Sequence, residues 1–190
     1  MSYHMQAFLN HYPMAPLSAA TQISLEGISK TVDVAKEQFV IKSGTHPTQI
    51  FFLIHGAVRS FYLKDGVEVN TWFAFENELV GSFDTYLMKQ PASEAVEALE
   101  PCKLLAIDMN ELKKLSSSNL ELSNLVLALV EEYAAFLHYR LNALQFQSAQ
   151  ERYKELLKHE SEMLQRVSLT HIASYLGVSR ETLSRMRAKK

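Results

Sequence analysis

The 190-residue chain contains a single cysteine, Cys102. It can form no internal disulfide, no Cys-x-x-Cys redox pair and no four-thiolate iron–sulfur cluster of its own. The simple reading of Cys102 is a small buried residue beside strand sequence. No apolar run reaches the ~18 residues of a membrane span. The opening MSYHMQAFLNHYPMAP has no basic-then-apolar export signal. The expectation is a cytoplasmic protein with no membrane partner. Catalytic signatures are missing too: no His-x-His cluster, G-x-S-x-G elbow, Walker loop or paired carboxylates. No catalytic residue is assigned, and the chain is not read as an enzyme. Seven histidines (4, 11, 46, 55, 138, 159 and 171) are scattered without metal-ligand spacing. No metal and no resident cofactor are expected. Proline and glycine are absent from Met109 to Leu176, whereas all five prolines and five of the six glycines lie in the first 101 residues. The chain divides into a turn-rich part and a helical part.

What is present is globular: 47% apolar and 21% charged residues. Helical spacing occurs around Tyr3–Tyr12 and Ser18–Ile28, the second with Ile23 and Ile28 on an inward face. Short strand-like runs follow at Thr31–Val34, Phe39–Ile41, Ile50–Ile54, Ala57–Leu63, Val67–Phe75, Ala95–Leu99 and Leu104–Ile107. Asp65-Gly66 between two of them is a hairpin signal. Many short strands at close spacing point to a small β-barrel or sandwich. The fold class is therefore α+β.

The helical part begins at Met109–Leu115 and breaks at Ser116-Ser-Ser118. Asn119–Gln147 then carries Leu122, Leu125, Val126, Leu129, Tyr133, Phe136, Leu137, Leu141 and Leu144 at intervals of three to four residues. Leu120, Leu127 and Val130 widen this stripe. One face would cover the β-domain and another would meet a second chain, with Leu129 and Tyr133 expected at that seam. Ser148-Ala-Gln-Glu151 has the form of a capping box. A new helix would start at Ala149, leaving Gln147–Ser148 as a hinge.

The final segment has the spacing of a helix-turn-helix that enters a DNA groove. Ile172, Leu176, Val178, Leu183 and Met186 are apolar where two short crossed helices bury a shared face, and Ala173 is small where they cross. Gly177 falls where the first helix must end at positive φ. Ser179 can cap the second helix. That helix offers Arg180, Glu181, Ser184, Arg185 and Ala188 outward, and two arginines with an acidic partner suit major-groove base edges. The charge balance agrees. Residues 151–190 hold nine Lys/Arg and five Glu, whereas residues 1–150 hold ten basic and sixteen acidic residues. A basic tail supplies phosphate neutralisation.

The order β-roll, long helix, hinge, helix-turn-helix resembles the family of the catabolite activator protein and the fumarate–nitrate regulator (Crp/Fnr). His55-Gly56 with Asp65-Gly66 resembles the turn pattern of its cyclic-nucleotide-binding β-roll. The closest motif match is Val178-Ser-Arg-Glu-Thr-Leu-Ser-Arg185. The chain ends five residues after Arg185 and resembles short, wingless members from Bacteroidetes-type bacteria. The resemblance implies a β-roll (jelly-roll) sensor over 1–117, a dimerisation helix over 118–147 and a DNA-binding unit over 148–190. It implies base contacts from Arg180, Glu181 and Arg185. Ser168, Thr170, Ser179, Thr182, Ser184 and Arg187 would complete the DNA face, the hydroxyls chiefly by positioning phosphates. The implied partners are double-stranded DNA and a second copy of the chain, with RNA polymerase as a further candidate.

The family's ligand pocket maps onto Glu78, Gly81, Ser82, Ala92, Ser93, Leu137 and His138. Glu78 matches the glutamate that holds a ribose hydroxyl, and Ser93 matches the cassette serine. Ala92 stands where the family has the arginine that neutralises a cyclic phosphate, and Glu94 adds a negative charge. Lys89 is the only cation in that loop, and an ammonium does not replace a bidentate guanidinium. Cyclic AMP is therefore not the expected effector; the pocket is expected either to take another small molecule or to be closed by its own side chains. Two other classes compete with a regulator. One is a cupin-like small-molecule-binding enzyme, and the other is a ligand-sensing module whose helix-turn-helix binds protein.

Overall fold

The computed structural model of the chain describes residues 2–159 and 162–188. It opens with α1 (Tyr3–His11) and α2 (Ala19–Gly27), capped by the hydroxyls of Ser2 and Ser18. Helix α2 turns Thr21 and Leu25 inward, and Ile23 is 71% exposed. The inward face runs along the one-turn Thr21–Leu25 line because Leu25 joins the core and Asn119 donates to the Thr21 hydroxyl. Ile23, two positions from either, falls on the opposite side.

Eight strands follow: β1 (Ser29–Val34), β2 (Phe39–Ile41), β3 (Gln49–His55), β4 (Val58–Lys64), β5 (Val67–Ala74), β6 (Leu79–Val80), β7 (Ala95–Ala98) and β8 (Cys102–Asp108). They form two four-stranded sheets, ordered β1-β8-β3-β6 and β2-β7-β4-β5, with every pairing antiparallel. Strand β3 reads Ile50-Phe-Phe-Leu-Ile54 without alternation because both faces of its sheet are covered. Phe51 and Leu53 join Val58, Val96 and Leu104 between the sheets. Ile50 and Phe52 pack outward against Phe8, Leu25, Leu122 and Leu125. At the β4–β5 turn Asp65 and Gly66 both have positive φ, 52° and 78°, as a two-residue hairpin of matching twist requires. Gly56 is irreplaceable for another reason. Its φ is +103°, and a Cβ there would lie 2.7 Å from Cys102 Sγ and 2.8 Å from the Pro101 carbonyl. Cys102 is buried and donates to the Ala57 carbonyl, and burial pushes its thiol up. The thiolate needed for reactivity is suppressed there.

Between β6 and β7 lies one π-helical turn, Asp84–Met88, closed by Lys89 at φ 58°. After β8 come α3 (Met109–Ser116) and α4 (Leu120–Phe146), started by Asp108 and Asn119 as caps. Helix α4 buries Leu122, Leu125 and Leu129 in the same core as Phe8 and Phe52. This corrects the expected helix–helix seam. Leu129 is 3% exposed beneath the β-roll, and the Tyr133 ring stacks on Phe83. The outward face carries a different line: Leu127, Val130, Ala134, Leu137, Leu141 and Leu144, at alternating intervals of three and four residues.

Helix α4 ends at Gln147, whose ψ of 138° breaks the helical path. Helix α5 (Ala149–His159) starts on the expected capping box. Ser148 Oγ accepts from the Glu151 N–H at 3.3 Å, and the Glu151 carboxylate accepts from the Ser148 N–H at 2.7 Å. Then come α6 (Met163–Arg166), α7 (Leu169–Leu176) and α8 (Arg180–Ala188). Tyr153, Leu156, Met163, Ile172, Leu176 and Leu183 form a third core that also takes in Phe73 of β5.

Candidate nucleic-acid interface and internal cavity

Helices α7 and α8 are joined by a turn whose geometry follows from three small residues. Ser168 accepts from the His171 N–H at 3.3 Å and so starts α7. Gly177 ends α7 at φ 70°, donating its N–H to Ser174. Ser179 accepts from the Thr182 N–H at 3.1 Å and starts α8. Ile172, Ala173 and Leu176 bury the shared face with Leu183. The opposite side of α8 is open: Arg180, Glu181, Ser184, Arg185 and Arg187 are all exposed, as are Ser168, Thr170 and Ser179. Thr182 is half-buried, and its hydroxyl accepts from Arg185 at 3.2 Å. The Glu181 carboxyl lies below its ordinary value, held there first by its own backbone N–H and then by Ser179. Lys189 and Lys190, which complete the basic tail, lie outside the described residues.

Helix α7 is docked on the free edge of β5. The Asn70 N–H donates to Ser174 Oγ at 3.0 Å, and that hydroxyl donates to the Glu68 carbonyl at 3.0 Å. An edge N–H and C=O that would otherwise invite another strand are thereby paired. Below them Arg59, 5% exposed, bonds Glu97 through Nε at 2.7 Å and Glu68 through Nη1 at 2.6 Å. His171 Nδ1 lies 3.3 Å from Arg59 Nη1. Burial first, and then the Arg59 charge, lower the His171 pKa. Arg166 makes a second tie, to Glu76 at 2.7 and 3.0 Å and to Glu100 and Glu162. Burial would raise the Glu76 carboxyl, but hydrogen bonds from Arg166 and the Gly56 N–H outweigh it and hold the group at about 2. Arg152 donates to the carbonyls of Gln147 at 2.6 Å and Leu176 at 2.7 Å. It thus fastens the α4–α5 break to the end of α7.

A cavity of about 520 Å³ lies between β5, the 78–84 segment, α4 and α7. Its size is that of an ordinary small-molecule site. Glu78, Gly81, Ser82, Ser93 and Leu137 line it, as do Trp72, Phe83, Asp84, Glu94, Phe136 and Tyr175. Ala92 is instead buried in the inter-sheet core, and His138 lies outward on α4 against Asn142 at 2.9 Å. The Glu78 carboxylate accepts from the Phe75 N–H at 3.1 Å. Ser93 gives both its N–H and its hydroxyl to the Asp84 carboxylate. Lys89 turns away to the Tyr86 carbonyl at 2.8 Å. Tyr175 roofs the far end beneath Arg140, whose guanidinium carbon lies 3.9 Å from the ring centre.

Residues 31–119 match the cyclic nucleotide-binding domain family. In three dimensions the chain is similar to FixK2 from Bradyrhizobium japonicum, with 21% identity over 85% of this chain and 84% of that one and a TM-score of 0.70. It is similar to a candidate transcriptional regulator of the Crp/Fnr family from Eubacterium rectale, with 18% identity over 93% and 85% of the two chains and a TM-score of 0.72. The catabolite activator protein of Thermus thermophilus matches at 20% identity over 91% and 83%, with a TM-score of 0.55. Residues 31–119 therefore have the fold of a cyclic nucleotide-binding domain, and the chain shares the overall fold of these Crp/Fnr-type structures. No curated protein matches it in sequence.

Within this Crp/Fnr fold several site residues escaped the sequence. Asp84, Trp72 and Phe136 carried no motif. Tyr175 reads as one more apolar residue of α7 until the docking on β5 turns it toward the cavity. Arg59 has the charge a cyclic phosphate would need, but Glu68 and Glu97 already hold it. Among the described residues no helix is long and apolar enough to cross a membrane, and no cluster of His, Cys, Asp or Glu could hold a metal.

Proposed function

We propose that the chain is a dimeric DNA-binding transcriptional regulator acting in the cytoplasm, without catalytic activity, whose 520 Å³ cavity receives a small-molecule effector. The observation that carries the reading is the open α8 face. Three arginines and one glutamate project from a helix whose other side is fixed by the third core. Arg180 and Arg185 would donate to guanine edges, and Glu181 would accept from a cytosine amino group. The outward line Leu127, Val130, Ala134, Leu137, Leu141 and Leu144, exposed but for the half-buried Val130, supports dimerisation. Its three–four spacing is that of a seam between two helices. Two α8 helices about 34 Å apart would read a near-palindromic site. The cupin-like reading is less favoured, since it gives no role to the exposed arginine face of α8.

Selection of bound sites from random DNA, followed by titration, tests this. Arg180→Ala and Arg185→Ala should each weaken specific binding by roughly 1–3 kcal/mol and relax base preference. Equal losses on specific and random DNA would reduce these arginines to phosphate contacts. Absence of salt-sensitive DNA binding by the intact chain would overturn the regulator reading.

A further inference from the structure

The cavity has the wrong charge for an anionic ligand. Its lining includes the carboxylates of Glu78, Asp84, Glu94 and Glu132, and Arg140 is the one base among the described lining residues. The donors that would cradle an anion are also taken. The Ser93 N–H and hydroxyl both go to Asp84, so a carboxylate of the chain itself occupies the place of an incoming phosphate oxygen. Arg59 is bound by Glu68 and Glu97, and Arg140 lies over Tyr175 at the far end. A phosphate at the Ser93 end would be desolvated beside carboxylates, with the one lining base, Arg140, at the far end of the cavity, a costly arrangement.

We propose that the cavity binds a small organic cation with an aromatic body, its ammonium group held by Asp84 and Glu94. The proposal rests on the reading of this cavity as the effector site. Three further observations support it. Glu94 is raised by burial first, lowered in part by Thr71, and raised again by the charge of Asp84. The charges of both carboxylates also act on Tyr133, so the three groups share one space. A cation between the carboxylates removes their mutual repulsion, whereas an anion adds to it. Next, the walls are aromatic. Phe83 and Tyr133 stack, Trp72 and Phe136 meet edge-to-face, and Tyr175 closes the end. Ring faces attract a desolvated cation and accept a planar body. Last, the Trp72 indole N–H is buried without an acceptor among the described residues. It offers one donor to a hydroxyl or carbonyl on the ligand.

Occupancy would reach the DNA-binding unit directly, since Ser174, Tyr175 and Gly177 belong to the same lining. A body seated against Tyr175 presses on the helix that anchors α8, and the Ser174 and His171 contacts and the Phe73 ring help to hold α7 on β5.

Three probes that share one ring separate charge from shape: tryptamine (cation), tryptophol (neutral) and indole-3-acetate (anion). Calorimetry on the intact chain near neutral pH, without DNA, should rank tryptamine first by roughly tenfold or more over both others. Glu94→Gln should cut the tryptamine preference at least about fivefold and leave tryptophol unchanged, and Asp84→Asn should act the same way. Thermal melts of both variants separate a local charge effect from misfolding. Equal or tighter binding of indole-3-acetate, or no saturable binding of any probe at millimolar concentration, overturns the proposal. The regulator reading fails separately, in the DNA titration, so each can fall without the other.

Discussion

The two halves of α4 are built from the same residues and do opposite work. In the first half Leu122, Leu125 and Leu129 are almost fully buried against the β-roll. In the second half Leu137, Leu141, Leu144 and Phe146 are 46 to 79% exposed. Both halves are leucine-rich with similar spacing. The difference is that the β-roll is shorter than the helix. Where α1, α2 and β3 supply a surface, the stripe becomes core. Beyond it, the stripe is largely exposed, and the cavity takes Phe136, Leu137, Arg140 and Leu144 as one wall. A hydrophobic stripe thus states that something must cover it, and not what covers it.

Substitutions can break that comparison. The largest effect is expected in the first half. Leu125→Ala should destabilise the fold by roughly 2–5 kcal/mol, whereas Leu144→Ala should change the unfolding of the separate chain by no more than about 0.5 kcal/mol. Denaturant unfolding at low protein concentration reads both. Similar losses would show that the second half is core as well.

Next in size is the seam. Leu141→Glu should weaken association by more than about 1 kcal/mol, and adding Leu144→Glu should yield a monomer by light scattering with helical content intact. An unchanged mass would place the interface elsewhere. Arg140→Ala probes the junction between α4 and α7. Loss of its contact with the Tyr175 ring should release roughly 0.5–1 kcal/mol of docking energy, seen as faster hydrogen exchange in α7 and none in β3.

The smallest effect is a pH dependence at the same junction. His171 faces Arg59, Asn70, Glu68 and Glu97. Its pKa is lowered from 6.5 in the docked form, so the undocked form binds the extra proton. Docking is then complete above pH 6.5 and weakens as pH falls through that value toward the lowered one. Glu68 and Glu76 are shifted below 4.5 and begin to lose their contribution only in more acid solution. Opening of α7, read from amide exchange corrected for its intrinsic pH dependence, should therefore rise modestly between about pH 7 and 5. His171→Gln should flatten that rise, and a retained slope would assign it to another group.

Local rules made much of the chain legible. The α7–α8 turn follows from Ser168, Gly177 and Ser179, each of which acts on backbone groups within three or four residues. The capping box at Ser148 and the Asp65-Gly66 turn are equally local. Ile23, Leu129 and Tyr133 were misplaced because their periodicity fixes which residues share a face, and the partner of that face lies far along the chain, as Phe83 does from Tyr133. The pocket was legible as far as its resemblance reached: Glu78, Gly81, Ser82, Ser93 and Leu137 meet in one cavity, while Ala92 and His138 do not join it.

By itself the sequence determined the α+β class, the strand-rich first part, the helix boundaries set by caps and glycines, and the charged face of α8, since these depend on short-range backbone preference and on the period of apolar residues. Only the tertiary structure decided which half of α4 is covered, that Asp84 takes the donors of Ser93, that Arg59 is spent on Glu68 and Glu97, and that Tyr175 completes the cavity. These depend on which distant surfaces the β-roll brings within hydrogen-bond and ring-contact distance, and no local pattern encodes that distance.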